Sequence, residues 1–221
     1  MVDWNIFVRE TVMKRQSRTY AQTSVATLSA PQDVDEIVRL FERLAAEEGW
    51  EPGDNLRIDR HRSVYFAGRS DHELAGGLQM VLGDGSNALP SQRVWPEIDL
   101  SGRSDVAHVV ILALRPEYRA RHGLFWNICV EMWKYCVARG VSEIWIEATP
   151  KTLRLYRRIG WPLEIVGDLR MHWDEPCFLC RMGTDEVAAA LTSKAERSAA
   201  YKAVVDQAGP ILDEPLLTKA A

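Results

Sequence analysis

HVVILALRPEYRARHG, residues 108–123, is the passage whose reading decides the fold. His108 to Leu114 is a short, nearly unbroken apolar run rich in β-formers, the pattern of a central strand buried on both faces. RPEYRARHG interrupts it, and LFWNICVEMWKYCVARG (124–140) then repeats at helical spacing. Phe125, Ile128, Cys129, Met132, Trp133, Cys136 and Val137 share one apolar face, and Gly140 closes the helix. VSEIWIEAT (141–149) is expected as a strand and PKTLRLYRRIG (150–160) as a short helix.

Working outward, YAQTSVATLS (20–29) alternates β-formers, and DVDEIVRLFERLAAEEG (33–49) carries a helical stripe with Asp33 or Ser29 as its cap. SVYFAG (63–68) and LAGGLQMVLG (74–83) are strands joined by the polar turn 69–73. The long connection 84–105, rich in Gly, Ser, Asn and Pro, has the character of a binding element. LEIVGDLRM (163–171) and CFLCRM (177–182) are further strands, and an Ala-rich helix is expected over 184–206. This order predicts one α/β domain of the α+β kind, a mixed central sheet flanked by helices. It divides the chain into an N-terminal arm (1–19), the domain (20–183), and a C-terminal helix and tail (184–221). The arm carries a short amphipathic pattern over 4–18, and a lid, a surface arm or a homodimer contact would look alike from sequence.

Composition narrows the function classes. The chain has 221 residues, of which 47% are hydrophobic and 26% charged, the balance of a globular protein. A net charge of −4 argues against a generic nucleic-acid partner. No apolar run approaches the ~18 residues of a membrane span, and the first residues lack a signal-peptide layout, so a cytoplasmic protein is expected. Four cysteines in a chain this long do not make a disulfide framework. Cys177 and Cys180, three apart on a strand, face opposite sides, which is wrong for a shared metal; no metal site is expected.

The stretch 108–160 resembles the acetyl-coenzyme-A-binding core of the GCN5-related N-acyltransferase (GNAT) superfamily. The matching features are a strand ending in small apolar residues, then Pro-Glu-Tyr-Arg, a turn opening a helix, a further strand, and Leu-Tyr-Arg-Arg-Ile-Gly-Trp. The resemblance covers about residues 20–182. It departs from the family at the turn, where His122 and Leu124 occupy small-residue positions and Gly123 sits between them. A narrower resemblance, to acyl-homoserine-lactone synthases and long-chain N-acyl amino acid synthases, lies in Trp95-Pro-Glu97, Arg157-Arg-Ile-Gly-Trp-Pro162 and the Gly167 strand. The lactone synthases carry Glu and Arg where His108 and Ile111 stand here, and Asp54 and Asp59 are the best remnants of their acidic cluster.

The resemblance implies an N-acyltransferase that moves an acyl group from acyl-coenzyme A, acetyl-coenzyme A or an acyl carrier protein to the amine of a small metabolite. The alternatives are an autoinducer-type synthase using S-adenosylmethionine and a non-catalytic acyl-coenzyme-A-binding module. It implies Leu112, Ala113, Leu114, Arg119, Arg121, His122, Gly123 and Leu124 for the donor, since a helix N-terminus suits a pyrophosphate. Tyr156 matches the residue that protonates the departing thiolate. Three groups compete as general base: His108 on the central strand, Glu97 in the Trp-Pro-Glu connection, and Glu147 in the WIEAT strand. Trp95, Trp161 and Trp173 lie in or beside loops, where they would line an acyl or acceptor pocket.

Overall fold

The computed structural model describes residues 23–57, 60–119 and 122–209. The apolar run forms β4 (Val106–Leu114), buried along its length except at half-buried Leu112. It lies between β3 (Glu73–Leu82), antiparallel, and β5 (Glu143–Ala148), parallel. β1 (Thr23–Leu28) and β2 (Ser63–Ser70) extend one side; β7 (Glu175–Gly183) and β6 (Glu164–His172) extend the other. The result is a seven-stranded mixed sheet, ordered β1-β2-β3-β4-β5-β7-β6, as the sequence predicts in kind.

Strand alternation separates two cores. Phe66, Leu78, Met80 and Val109 pack against α3 (His122–Ala138), through Leu124, Ile128, Met132 and Cys136. Tyr65, Ala67, Val81, Val106 and Val110 face α1 (Pro31–Glu48), through Ile37, Val38, Phe41 and Leu44. Gly68 admits α3 closely, since a Cβ there would lie 2.8 Å from Ile128 Cδ1. Cys177 and Cys180 sit in these two opposite cores.

Several local expectations are corrected. α1 starts at Pro31 and has no side-chain cap, so neither Ser29 nor Asp33 serves. Pro31 at the first helical position presets its φ, and the Ala30 carbonyl accepts from the Asp33 and Val34 amides instead. α2 (Pro116–Arg119) precedes α3, which begins at His122 rather than Leu124. The Ala-rich segment is not one helix: α5 (Thr184–Ala195) and α6 (Ala199–Ala208) fold back on each other. That bend brings Val187, Val204 and Ala208 together against the α3 core, where a straight helix would carry part of this apolar surface into water.

The connection 84–105 is a pinned strap. The Asp84 carboxylate accepts from Ser86 N, Asn87 N and Asn87 Nδ2, and Arg62 donates to the carbonyls of Asn87 and Ala88. Trp95, fully buried, donates its indole N–H to Asp168 O at 2.9 Å. Gly167 makes room for that ring, since a Cβ there would meet Trp95 Cδ1 at 2.7 Å. Among the described residues, no helix is long and apolar enough to cross a membrane.

Candidate active site

The site arises from a defect in the sheet. Gln79 of β3 pairs with Ile111 but its neighbour Met80 pairs with Val109, so Val110 is an extra residue on β4. Val110 and Ile111 consequently pack into the same core cluster, where plain alternation would separate them. Beyond this bulge β4 and β5 part: their last pair is Val109 with Ile146, and β4 runs on from Val110 to Leu114 without a β5 partner. Along that edge β5 supplies no backbone partner, and Leu114 O accepts from Arg119 Nε instead.

A cleft of about 130 Å³ opens where the strands separate. Its walls are Val109–Leu112 of β4, Ile146 and Glu147 of β5, and Thr149, Thr152 and Tyr156 at α4 (Pro150–Ile159). The β6–β7 turn adds His172, Trp173, Glu175 and Cys177, and Trp50 follows α1. Thr149 caps α4 by accepting from Thr152 N, and Gly160 ends it in the left-handed conformation, φ 102°. Tyr156 is thereby presented to the cleft from a helix fixed at both ends.

His108 and Glu147 lie on neighbouring strands, on the same side of the sheet. His108 is 1% exposed and Glu147 8%, and Nε2 lies 2.9 Å from Oε1. His172 Nδ1 stands 3.9 Å from the same oxygen. Burial alone raises the Glu147 carboxyl, but the His108 charge and hydrogen bond, with the His172 charge, outweigh it and hold the group below its ordinary value. An ionised carboxylate only accepts, so Nε2 carries the proton and donates it. Burial lowers His172, against the pull of Glu147. Burial pushes Tyr156 up, with Cys129 adding to it, so the phenol keeps its proton. Burial pushes the Cys177 thiol up to about 12, with Glu147 and Glu175 adding to it, which leaves no thiolate at neutral pH.

The remaining residues singled out from sequence fall as follows. Glu97 is exposed and ion-paired to Arg170, its Oε1 2.6 Å from Nη2, outside the cleft lining. Leu112 lines the cleft, and Ala113 and Leu114 continue the open β4 edge. Arg119 is engaged internally: Nε donates to Leu114 O at 2.9 Å and Nη1 pairs with Glu48 at 2.6 Å. Gly123 is exposed in the first turn of α3, with open space at its Cβ position, and Leu124 is fully buried in the core. Arg121 and Asp59, the arm 1–19 and the tail beyond Gly209 lie outside the described residues, as do the side chains of His122 and Asp54. Of the three loop tryptophans, Trp173 lines the cleft, Trp95 anchors the strap, and Trp161 stacks on Tyr156 with centroids 4.7 Å apart. Among the described residues no cluster is arranged to hold a metal ion.

A family model described as N-acyl amino acid synthase FeeM matches residues 36–182, more than half of the chain. The chain belongs to the FeeM N-acyl amino acid synthase family. It is an acyltransferase. The family match spans α1 through most of β7, so it contains the whole cleft, while α5 and α6 lie beyond it. Solved structures agree on the fold. FeeM from uncultured soil microbes superposes with a TM-score of 0.65 at 15% identity, covering 77% of this chain and 95% of that one. BjaI, a coenzyme-A-dependent acyl-homoserine lactone synthase solved with SAM and isopentyl-CoA, gives 0.60 at 12%, covering 85% and 90%. A putative N-acetyltransferase from Lactobacillus plantarum gives 0.56 at 13%, covering 73% and 98%. At these identities the superpositions show the GNAT-like fold alone. No curated protein sequence matches the chain.

In sequence, Trp95-Pro-Glu97, Arg157–Pro162 and the Gly167 strand carried the resemblance to the N-acyl amino acid synthases, and Pro116-Glu-Tyr-Arg119 with Leu155-Tyr156 that to the wider superfamily. Of these, Tyr156 lines the cleft. His172, Glu175, Trp50, Thr149 and Thr152 complete it but had no motif to mark them. His172 and Glu175 sit either side of a two-residue turn, Trp173 with φ 53° and Asp174 with φ 62°. A polar-aromatic His-Trp-Asp-Glu run between two apolar strands was the one available signal.

Proposed function

We propose that the protein transfers an acyl group from a thioester, acyl-coenzyme A or an acyl carrier protein, to the amine of a small metabolite. The observation that carries this reading is the His108–Glu147 hydrogen bond beside Tyr156, where β4 and β5 part. The open edge of β4 suits the amide-bearing arm of the donor, since its backbone groups pair with extended amides as a strand would. Arg119 is already held by Glu48 and Leu114, so pyrophosphate recognition falls to the α3 N-terminus more than to this guanidinium.

In the reaction the amine nitrogen attacks the thioester carbonyl, a C–N bond forms and the C–S bond breaks. Glu147 faces the cleft and accepts the proton that the nitrogen loses. His108 positions that carboxylate and keeps it ionised by donating from Nε2. Tyr156, protonated, donates to the departing thiolate and regains its proton from solvent. The β4 backbone N–H beside Leu112, where the strand lines the cleft, is the donor to the developing oxyanion. Transfer is direct, because the Cys177 thiol is not ionised and is a poor nucleophile.

The test measures thermal stability with acetyl-, octanoyl- and palmitoyl-coenzyme A, free coenzyme A and S-adenosylmethionine, alongside thiol release with a panel of amines. A donor at about 100 times its dissociation constant adds about 2.7 kcal/mol of stability. Stabilisation by acyl thioesters together with amine-dependent thiol release is expected. Stabilisation without release under any amine, S-adenosylmethionine included, contradicts the reading and leaves a binding module.

A further inference from the structure

Trp173 combines two costs that the fold does not explain. Its φ of 53° places a bulky aromatic residue in the left-handed region, which Gly, Asn, Asp and His tolerate far better. The β2–β3 hairpin makes the same kind of two-residue turn with Asp71 and His72, residue types suited to it. At the β6–β7 turn an aspartate stands second, but the first position is tryptophan. The second cost is that the Trp173 indole N–H is shielded from water and has no hydrogen-bond partner among the described residues. Three other indoles find oxygens: Trp95 donates to Asp168 O, Trp133 to Thr184 O, and Trp145 to the Glu143 carboxylate. A buried donor left unpaired is rare and calls for a reason.

Both costs fall on a residue of the cleft wall. Trp173 lines it with Glu147, His172 and Tyr156, and the Glu51 amide, donating to Trp173 O at 3.4 Å, ties its backbone to the chain after α1. We propose that Trp173 is a substrate-binding residue whose indole N–H donates to an oxygen of the molecule held in the cleft, a carboxylate or carbonyl oxygen. The inference rests on the acyl-transfer reading for which molecule that is. The strained turn fixes Trp173 in the cleft wall, and the bound oxygen supplies the partner that the protein withholds. Two sources share this chemistry: a carboxylate beside the acceptor's amine, and the carbonyl of the donor's thioester.

The experiment compares Trp173→Phe, which keeps a ring and removes the N–H, with wild type. It uses two acceptors that differ only in the oxygen group, phenylalanine and phenethylamine. If the acceptor supplies the oxygen, kcat/KM for phenylalanine falls about tenfold or more while that for phenethylamine falls less than about threefold, the range for a hydrogen bond to a charged group. If the thioester supplies it, both fall alike by tenfold or more, with kcat reduced. Losses under about twofold for both acceptors overturn the inference. A second measurement needs no turnover and no variant: the indole ¹⁵N–¹H resonance of Trp173 in the wild-type chain is followed while each acceptor and acetyl-coenzyme A are titrated in. A downfield shift with an oxygen-bearing ligand supports the assignment, and a resonance that none of them moves overturns it. Should wild type acylate neither amine, the wider amine panel decides the function, and this titration still decides the role of Trp173.

Discussion

Glu147 is the residue on which the proposed chemistry converges, and its environment sets a pH dependence. Its folded-state value lies below the ordinary one, so the stability it contributes is fully present above the unfolded value and is lost as pH falls through the folded one. His172, also lowered, acts in the same direction: its contribution is present above the ordinary imidazole value and fades on acidification. Acid unfolding of Glu147→Gln should therefore show a shallower pH dependence than wild type, read as denaturation midpoints across the acid range. At neutral pH the variant loses about 1–3 kcal/mol, because a charge-assisted bond inside the sheet is weakened. Tyr156→Phe removes the proposed acid without emptying the ring's place on Trp161. Its turnover should fall about 10²-fold with donor affinity unchanged, and a thioester whose thiol is a stable anion should recover most of the loss. An unaltered rate with ordinary thioesters would remove Tyr156 from the chemistry. His108 and Glu147 were each visible in the sequence as candidate bases, along with Glu97. That two of them pair was not, because it depends on the register Val109↔Ile146, which no local pattern specifies.

Elements hold these residues in place through their ends. The C-terminus of α4, which carries Tyr156, is gripped by the helical pair that follows the family's matched region. Lys194 of α5 donates to Arg158 O at 3.2 Å and lies 5.0 Å over the Tyr201 ring. Tyr201 of α6 donates to Ile159 O at 2.8 Å. Gly160 lies close under this contact, a Cβ there meeting Lys194 Cε at 2.5 Å, and its φ of 102° is what requires glycine. Trp161 continues the stack between Tyr156 and Phe125 and borders an apolar void of about 30 Å³ under α5 and α6. Tyr201→Phe should lower stability by about 1 kcal/mol, by chemical denaturation, and reduce kcat more than donor KM as the Tyr156 ring loses its fixed support. A change in stability with kcat untouched would make α5 and α6 mere packing. Periodicity located α3 and β4 well because burial on one face or both writes a pattern into the sequence. The β4 bulge left no such mark: Val109, Val110 and Ile111 are interchangeable in a hydropathy pattern, and the extra residue shows only against the β3 register. The α5–α6 bend escaped for a related reason, since Ala-rich sequence is helical on either side of it.

At the scale of the whole molecule, the cleft lies where the two central strands, β4 and β5, part. The two cores, under α1 and α3, clamp the parted strands from both faces, and the strap 84–105 is tied to β6 by Trp95 and by the Arg170–Glu97 pair. Glu97 is thus part of what holds the wall rather than of what lines it. The mixed α/β architecture was readable from element order, because short connections leave few ways to arrange alternating strands and helices. The direct consequence is that activity should depend on Glu147 far more than on any charge outside the cleft. The decisive measurement is the single-turnover rate of acyl transfer from a stabilising thioester to an amine, read by mass spectrometry of the amide, for wild type, Glu147→Gln and Glu97→Gln. A fall of about 10²-fold or more is expected for Glu147→Gln, the scale of a lost general base, and a rate within about threefold of wild type for Glu97→Gln. Amide formation at the wild-type rate in Glu147→Gln, or a loss confined to Glu97→Gln, would contradict Glu147 as the base.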